Sequence, residues 1–179
     1  PKCRAIVAKS DYAQRVFERQ NRPYPEYVSL RPKLVRINPG VRIRATRPRT
    51  LSSPLRLAFV GREFMRKGLP AVTQVHARLR AHGLPVETTV VAPVRDRHDP
   101  NDYVAPRSTT LLRDTLRSLD QPGIRAVPSL DNDGVLEVLD QAHFLLFPTL
   151  HDTFGFIALE AMAGALPAVV TATCALPEV

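Results

Sequence analysis

Residues 144–171 read FLLFPTLHDTFGFIALEAMAGALPAVVT. The run Phe144–Phe147 (FLLF) has the length and composition of a buried strand, 157–163 those of an apolar helix stopped by Gly164, and 168–171 (AVVT) those of a second strand. A helix between two short strands is a crossover connection, so the strands lie parallel and the helix covers one face of their sheet. The same rhythm extends upstream. Leu55–Val60 (LRLAFV), Val86–Val91 (VETTVV) and Ile124–Val127 (IRAV) read as three further strands. Between them, Leu69, Val72, Val75 and Leu79 recur at helical spacing up to Gly83, followed by Leu111, Leu112, Thr115, Leu116 and Leu119, and then by Val135, Leu136, Val138 and Leu139. Short strands rich in Val, Ile and Leu that alternate with helices predict an α/β domain: a doubly wound, Rossmann-like parallel sheet covered on both faces. With strand order 3-2-1-4-5, a ligand crevice opens beyond the C-terminal ends of the first and fourth strands.

Residues 42–54 (RIRATRPRTLSSP) lack apolar periodicity and read as a linker, dividing the chain into residues 1–50 and a domain of 51–179. Upstream, 4–8 (RAIVA) and 34–37 (LVRI) look like short strands flanking a helix over 11–19. The chain has 179 residues and a formal charge of +8. Residues 1–50 hold 13 Lys and Arg against Asp11, Glu18 and Glu26, which gives +10 and leaves −2 for the remainder. A basic segment attracts any polyanion: nucleic acid, an anionic membrane surface or a phosphorylated ligand. Stacking aromatics among the arginines and zinc-finger, helix-turn-helix and RNA-recognition patterns are all missing, so a nucleic-acid partner is not expected. No run approaches the roughly 18 apolar residues of a membrane-spanning helix. Cys3 and Cys174 offer neither a disulfide framework nor metal spacing, which fits a reducing compartment. The start at Pro1, without Met, suggests a fragment.

The two loops at the expected crevice carry the chemistry. After the first strand comes GREFMRKG (61–68), and after the fourth PTLHDTFG (148–155). Arg62 offers a planar fork and Lys67 a compact charge, a pair suited to a diphosphate, although either could be an ordinary surface cation. Gly61 and Gly68 flank them. Opposite, Phe154 and Gly155 precede a helix whose N-terminal amides can receive an anion, with Gly155 permitting close approach. Asp152 lies in the loop and Glu160 about one turn into the helix, so both can accept hydrogen bonds from ligand hydroxyls. Asp152 has a rival role as N-cap of that helix, and Glu160 one as a helix-solvating acid, although it is set among apolar neighbours. Glu178 is either a ligand contact or the cap of a helix beyond residue 179. The five histidines show no metal-binding spacing, and only His151 stands near the site.

DTFGFIALE (152–160), running into AMAGALPAVVTATCALPEV, resembles the signature of group 1 glycosyltransferases, glycosyltransferase family 4, which have the GT-B fold. FVGREFMRKG (59–68) and FPTLHDTFG (147–155) are similar to that family's segments after the first and fourth strands, and IVAKS (6–10) and INPGV (37–41) look like its crossing between two domains. The resemblance implies that Arg62 and Lys67 hold a donor diphosphate, Glu160 the ribose and Asp152 the transferred sugar, with amides near Phe154 and Gly155 completing the phosphate site; Gly61 and Glu178 are further donor-binding candidates. It implies a retaining hexosyltransferase-type enzyme in cell-envelope or polysaccharide biosynthesis. Such an enzyme takes a UDP- or GDP-sugar to a sugar or lipid-linked acceptor, with no cofactor or essential metal, in the cytoplasm or at the cytoplasmic face of the membrane. Residues 1–50 would be a remnant of an N-terminal domain, and 51–179 a donor-binding domain truncated at its C-terminus. Three departures predict altered donor preference or weakened activity: Asp152 in place of Glu, Cys174-Ala175-Leu176 in place of Gly-Gly, and Ala92-Pro93-Val94 in place of a glycine-rich turn. Two other readings remain: a different nucleotide-binding Rossmann domain, disfavoured by the absence of G-x-G-x-x-G, and a non-catalytic polyanion- or membrane-surface module working through residues 1–50.

Overall fold

The computed structural model describes residues 3–44, 50–94 and 109–179. Part of the expected linker (45–49) and nearly all of the polar stretch after Val94 (95–108) lie outside the described residues. Strands β3 (Leu55–Val60), β4 (Val86–Val91), β5 (Ile124–Val127), β6 (Phe144–Phe147) and β7 (Ala168–Val170) form one sheet in the order β5-β4-β3-β6-β7. Every pairing is parallel. This is the expected 3-2-1-4-5 arrangement, with β3 and β6 side by side at its centre.

Period-two alternation along the strands builds two apolar layers. Leu57 and Phe59 of β3 face the helices α3 (Leu69–Ala81) and α4 (Thr109–Ser118), packing with Val72, Val86, Val90 and Leu146. Ala58 of β3, with Leu145 and Phe147 of β6, faces α5 (Asn132–Gln141) and α6 (Phe156–Ala163), packing with Leu139, Ala158, Ala161 and Leu166. Phe59, Leu139 and Leu145 are fully buried, each contributing about 2–3 kcal/mol of apolar transfer free energy. One expected core position is corrected. Val75 of α3 is exposed, and His76 is buried in its place beside Leu69, Val72 and Thr73. The stripe that meets the sheet runs through steps of three, four and seven from Leu69, which selects 76 over 75. His76 Nδ1 meets the Thr88 hydroxyl at 2.8 Å and Nε2 the Pro122 carbonyl at 3.1 Å, so its polar atoms are satisfied. Burial holds its pKa below the ordinary histidine value, against the Pro122 hydrogen bond.

Upstream, β1 (Ile6–Ala8) pairs in parallel with β2 (Leu34–Arg36), with α1 (Asp11–Asn21), the short α2 (Tyr27–Leu30) and a 3-10 turn (Arg31–Lys33) between them. Ser10 caps α1, its hydroxyl accepting the Ala13 amide at 3.0 Å. The same hydroxyl donates to the Thr153 carbonyl at 3.2 Å, fixing the start of α1 against the loop that precedes α6.

Candidate functional site

The loops after β3 and β6 are bound to each other before any ligand is considered. Gly68 has a φ of 92°, and a Cβ there would overlap the Pro148 carbonyl, so the backbones touch only because the residue is glycine. The Leu150 amide donates to the Arg66 carbonyl at 2.9 Å. The Arg66 guanidinium donates to the His151 carbonyl at 2.6 Å and pairs with Glu63. Two rigid loops therefore wall a crevice at the C-terminal end of the sheet, where α/β domains place their ligands.

The crevice is a cavity of about 650 Å³, in the range of small-molecule sites. Gly61, Arg62 and Lys67 line one side, and Asp152, Phe156, Ile157 and Glu160 another. Five expected site residues are thus brought together: Gly61, Arg62, Lys67, Asp152 and Glu160. A Cβ on Gly61 would stand 2.9 Å from the Lys67 stem, so this glycine lets Lys67 fold across the strand end. The Lys67 ammonium lies 5.4 Å above the Phe147 ring. Arg62 is exposed and has no hydrogen-bond or ion-pair partner among the described residues.

Asp152 is fully engaged. Its Oδ1 accepts the amides of Phe154 at 3.0 Å and Gly155 at 2.8 Å, while its Oδ2 takes the Lys67 ammonium. Burial alone would raise its pKa; Lys67 and the two amides outweigh that and hold it below the usual carboxylate value. The amides expected to receive a phosphate are therefore occupied by this side chain, which reaches forward two and three residues as a short Asp does readily. Gly155 is also explained differently than expected. Its φ is 87° and a Cβ would run into the Leu176 side chain, so it shapes the entry to α6 rather than clearing space for a ligand. Phe154 is buried in the protein, and Phe156 forms the cavity wall instead.

Glu160, half-buried on α6, has its pKa raised by burial and partly restored by the Arg44 charge. Arg44 was not anticipated. Its amide donates to the Ala163 carbonyl at 3.0 Å, its guanidinium grips Asp140 at 2.9 and 3.0 Å, and it reaches the Glu160 carbonyl at 3.4 Å. Glu178 is a correction: it does not line the cavity but accepts the Asp11 amide at 2.6 Å and the Tyr12 amide at 2.7 Å. It caps a helix, and that helix is α1, far earlier in the chain. Cys174, at one of the departures from the glycosyltransferase pattern, has a φ of 54°, the left-handed region that glycine enters without strain. The cavity also includes Pro128, Ser129, Leu130, Asp131 and Asn132, which carry no distinctive motif. Asp131 is the N-cap of α5, accepting the Gly134 amide at 2.9 Å.

Comparison with known proteins places this geometry. No curated protein sequence matches the chain. Among solved structures, the pneumococcal O-GlcNAc transferase GtfA in complex with UDP and GlcNAc superposes with a TM-score of 0.66 at 18% identity, over 96% of this chain and 31% of that one. Sucrose-phosphate synthase from Thermosynechococcus elongatus gives 0.67 at 17%, over 96% and 41%. A glycosyltransferase from Rickettsia africae gives 0.63 at 16%, over 98% and 46%. The chain thus spans less than half the length of these structures, and the likeness shows the GT-B fold. The profile of glycosyl transferases group 1 matches residues 54–179, which cover the five-stranded sheet and both loops of the crevice. The chain belongs to the group 1 glycosyl transferases.

Proposed function

We propose that this chain is the donor-binding part of a retaining glycosyltransferase that passes a hexose from a UDP- or GDP-sugar to a sugar or lipid-linked acceptor. The observation that carries the reading is the convergence of Arg62, Lys67, Asp152 and Glu160 on one cavity of about 650 Å³ at the C-terminal ends of β3 and β6. Arg62, its guanidinium unpaired among the described residues, presents a fork to phosphate oxygens, and Lys67 adds a second cation. Together they offset the charge that grows on the leaving diphosphate as the bond to the sugar breaks. Glu160 accepts hydrogen bonds from ribose hydroxyls, and the apolar wall at Val91, Ala92 and Leu130 receives the base. The UDP and GlcNAc held by the pneumococcal relative support a nucleotide-sugar donor. In this reading residues 1–50 and 51–179 belong to two domains, the acceptor site lies on the first of them, and the chain alone binds donor but transfers little sugar. The free thiols of Cys3 and Cys174 support a cytoplasmic enzyme of envelope or polysaccharide synthesis. Exposed Tyr24 and Val28, in the same stretch of sequence as Arg22, Arg31 and Lys33, support contact with an anionic membrane face.

Calorimetric titration with UDP-, GDP- and ADP-glucose tests the reading. One of them binds, and Lys67→Ala and Glu160→Ala each weaken it about 10- to 100-fold, the usual cost of a lost charged hydrogen bond. Binding of none, or binding indifferent to both substitutions, removes the proposal.

A further inference from the structure

We propose that Asp152 is a resident anion of the diphosphate cradle, and that its charge makes the site prefer the intact nucleotide sugar over the free nucleoside diphosphate. The inference rests on the donor-site reading above. It begins with three hydrogen-bond donors that would suit a phosphate: the Lys67 ammonium and the amides of Phe154 and Gly155 at the start of α6. One carboxylate already holds all three. The Asp152 and Lys67 side chains retain only 14% and 16% of their exposure, so their charges are poorly screened by solvent. The phosphate that meets Lys67 therefore comes within reach of a fixed negative charge as well.

Donor and product differ there by one charge. In a nucleotide sugar the β-phosphate is bonded on one side to the α-phosphate as an anhydride and on the other to the sugar as an ester, and carries one negative charge. Once the sugar has left, that phosphate is the terminal group of the diphosphate anhydride, with a second ionisation near pH 6, so near pH 7.5 it carries almost a full extra charge. Among the described residues, the charged groups lining the cavity are Arg62 and Lys67 against Asp152, Glu160 and Asp131, with no surplus of cation to absorb it. A unit charge several ångströms from a carboxylate, at the effective dielectric of a partly buried site, changes binding by about tenfold or more. That penalty falls on the product and largely spares the donor, which favours product release and limits product inhibition.

Asp152→Asn tests the charge with little change of shape, since Oδ1 can still accept both amides. Asp152→Ser, which also keeps a neutral acceptor, guards against a local folding fault, and the melting curve of each variant establishes that it is folded. Calorimetry on the full chain at pH 7.5 compares UDP, GDP and ADP with their glucose esters. The expected result is that both variants bind the free diphosphate about tenfold more tightly, while affinity for the ester changes less than about threefold. Lys67→Met moves the ratio the other way, loosening the diphosphate more than the ester. Equal changes for the two ligands, or unchanged or weaker diphosphate binding by the folded Asp152 variants, overturn the proposal and leave the donor site standing. Failure of the unaltered chain to bind any of the six compounds overturns the donor-site reading and this proposal with it.

Discussion

Replacing Glu178 with Ala separates two roles that the sequence leaves open for it. In the structure its carboxylate accepts the amides of Asp11 and Tyr12 at 2.6 and 2.7 Å, at the N-terminus of α1. A lost cap costs about 1 kcal/mol, and a lost carboxylate at a helix N-terminus about 0.3–1 kcal/mol more. The pair with Arg15, at 3.4 Å and with Arg15 66% exposed, adds little. The sum is about 2 kcal/mol, or roughly a 30-fold increase in local opening. It falls on α1 because Glu178 holds that helix from outside. Hydrogen exchange of the amides in α1 reads this directly, and Glu178→Gln, which keeps the acceptor and loses the charge, gives a smaller increase. Nucleotide affinity stays within about twofold of the unaltered chain, a change of less than 0.5 kcal/mol. Protection of α1 that is unchanged, alongside a nucleotide affinity that falls by an order of magnitude, would refute the capping role and return Glu178 to the donor site.

Gly68→Ala must place a Cβ into the Pro148 carbonyl at a φ of 92°, so urea unfolding shows a loss of about 3 kcal/mol or more, backbone strain plus loop separation. Gly83→Ala, at a φ of 77° with nothing within 4 Å, supplies the strain alone at about 1 kcal/mol; equal losses at the two positions would contradict the locked loops. Glu160→Gln is stabilising at neutral pH. Burial raises the folded-state pKa of Glu160, so its protonated form adds stability that is full below the unfolded glutamate pKa of about 4.3 and is lost as pH rises through the folded value. At pH 7 the variant is therefore the more stable, by under about 1 kcal/mol given the partial exposure. The two proteins converge near pH 4 in urea unfolding, and a variant less stable at pH 7 would show that Glu160 is held as a favourable charge.

The sheet was legible because its central strands are buried over most of their length and so read as apolar runs; FLLF at 144–147 and LAFV at 57–60 need no partner to be recognised. The two crevice loops were legible for a related reason, since strand order fixes which loops meet. What Asp152 does was not, because an Asp two and three residues before free amides closes on them locally, and sequence spacing treats cap and ligand alike. Glu178 and Arg44 act across 167 and 116 residues, distances over which no local pattern operates. The wall at residues 128–132 lacked charge clusters and glycines, so nothing distinguished it from an ordinary strand-to-helix turn.

Ser10 and Arg44 from the upstream segment hold the two ends of the α6 region, at Thr153 and at Ala163, while Glu178 from the downstream segment holds the start of α1. Each segment finishes a helix belonging to the other. Residue 50 is therefore a break in composition but a poor place for a splice. A chimera joined there sets Glu178 against the helix start of another chain, and α6 against another chain's residues in place of the Ser10 hydroxyl and the Arg44 guanidinium, so exchange between homologues succeeds only when residues 10, 44 and 178 travel as a set. Lower melting of a chimera joined at 50, restored when those three side chains are matched, would show this reciprocity as a constraint on inheritance.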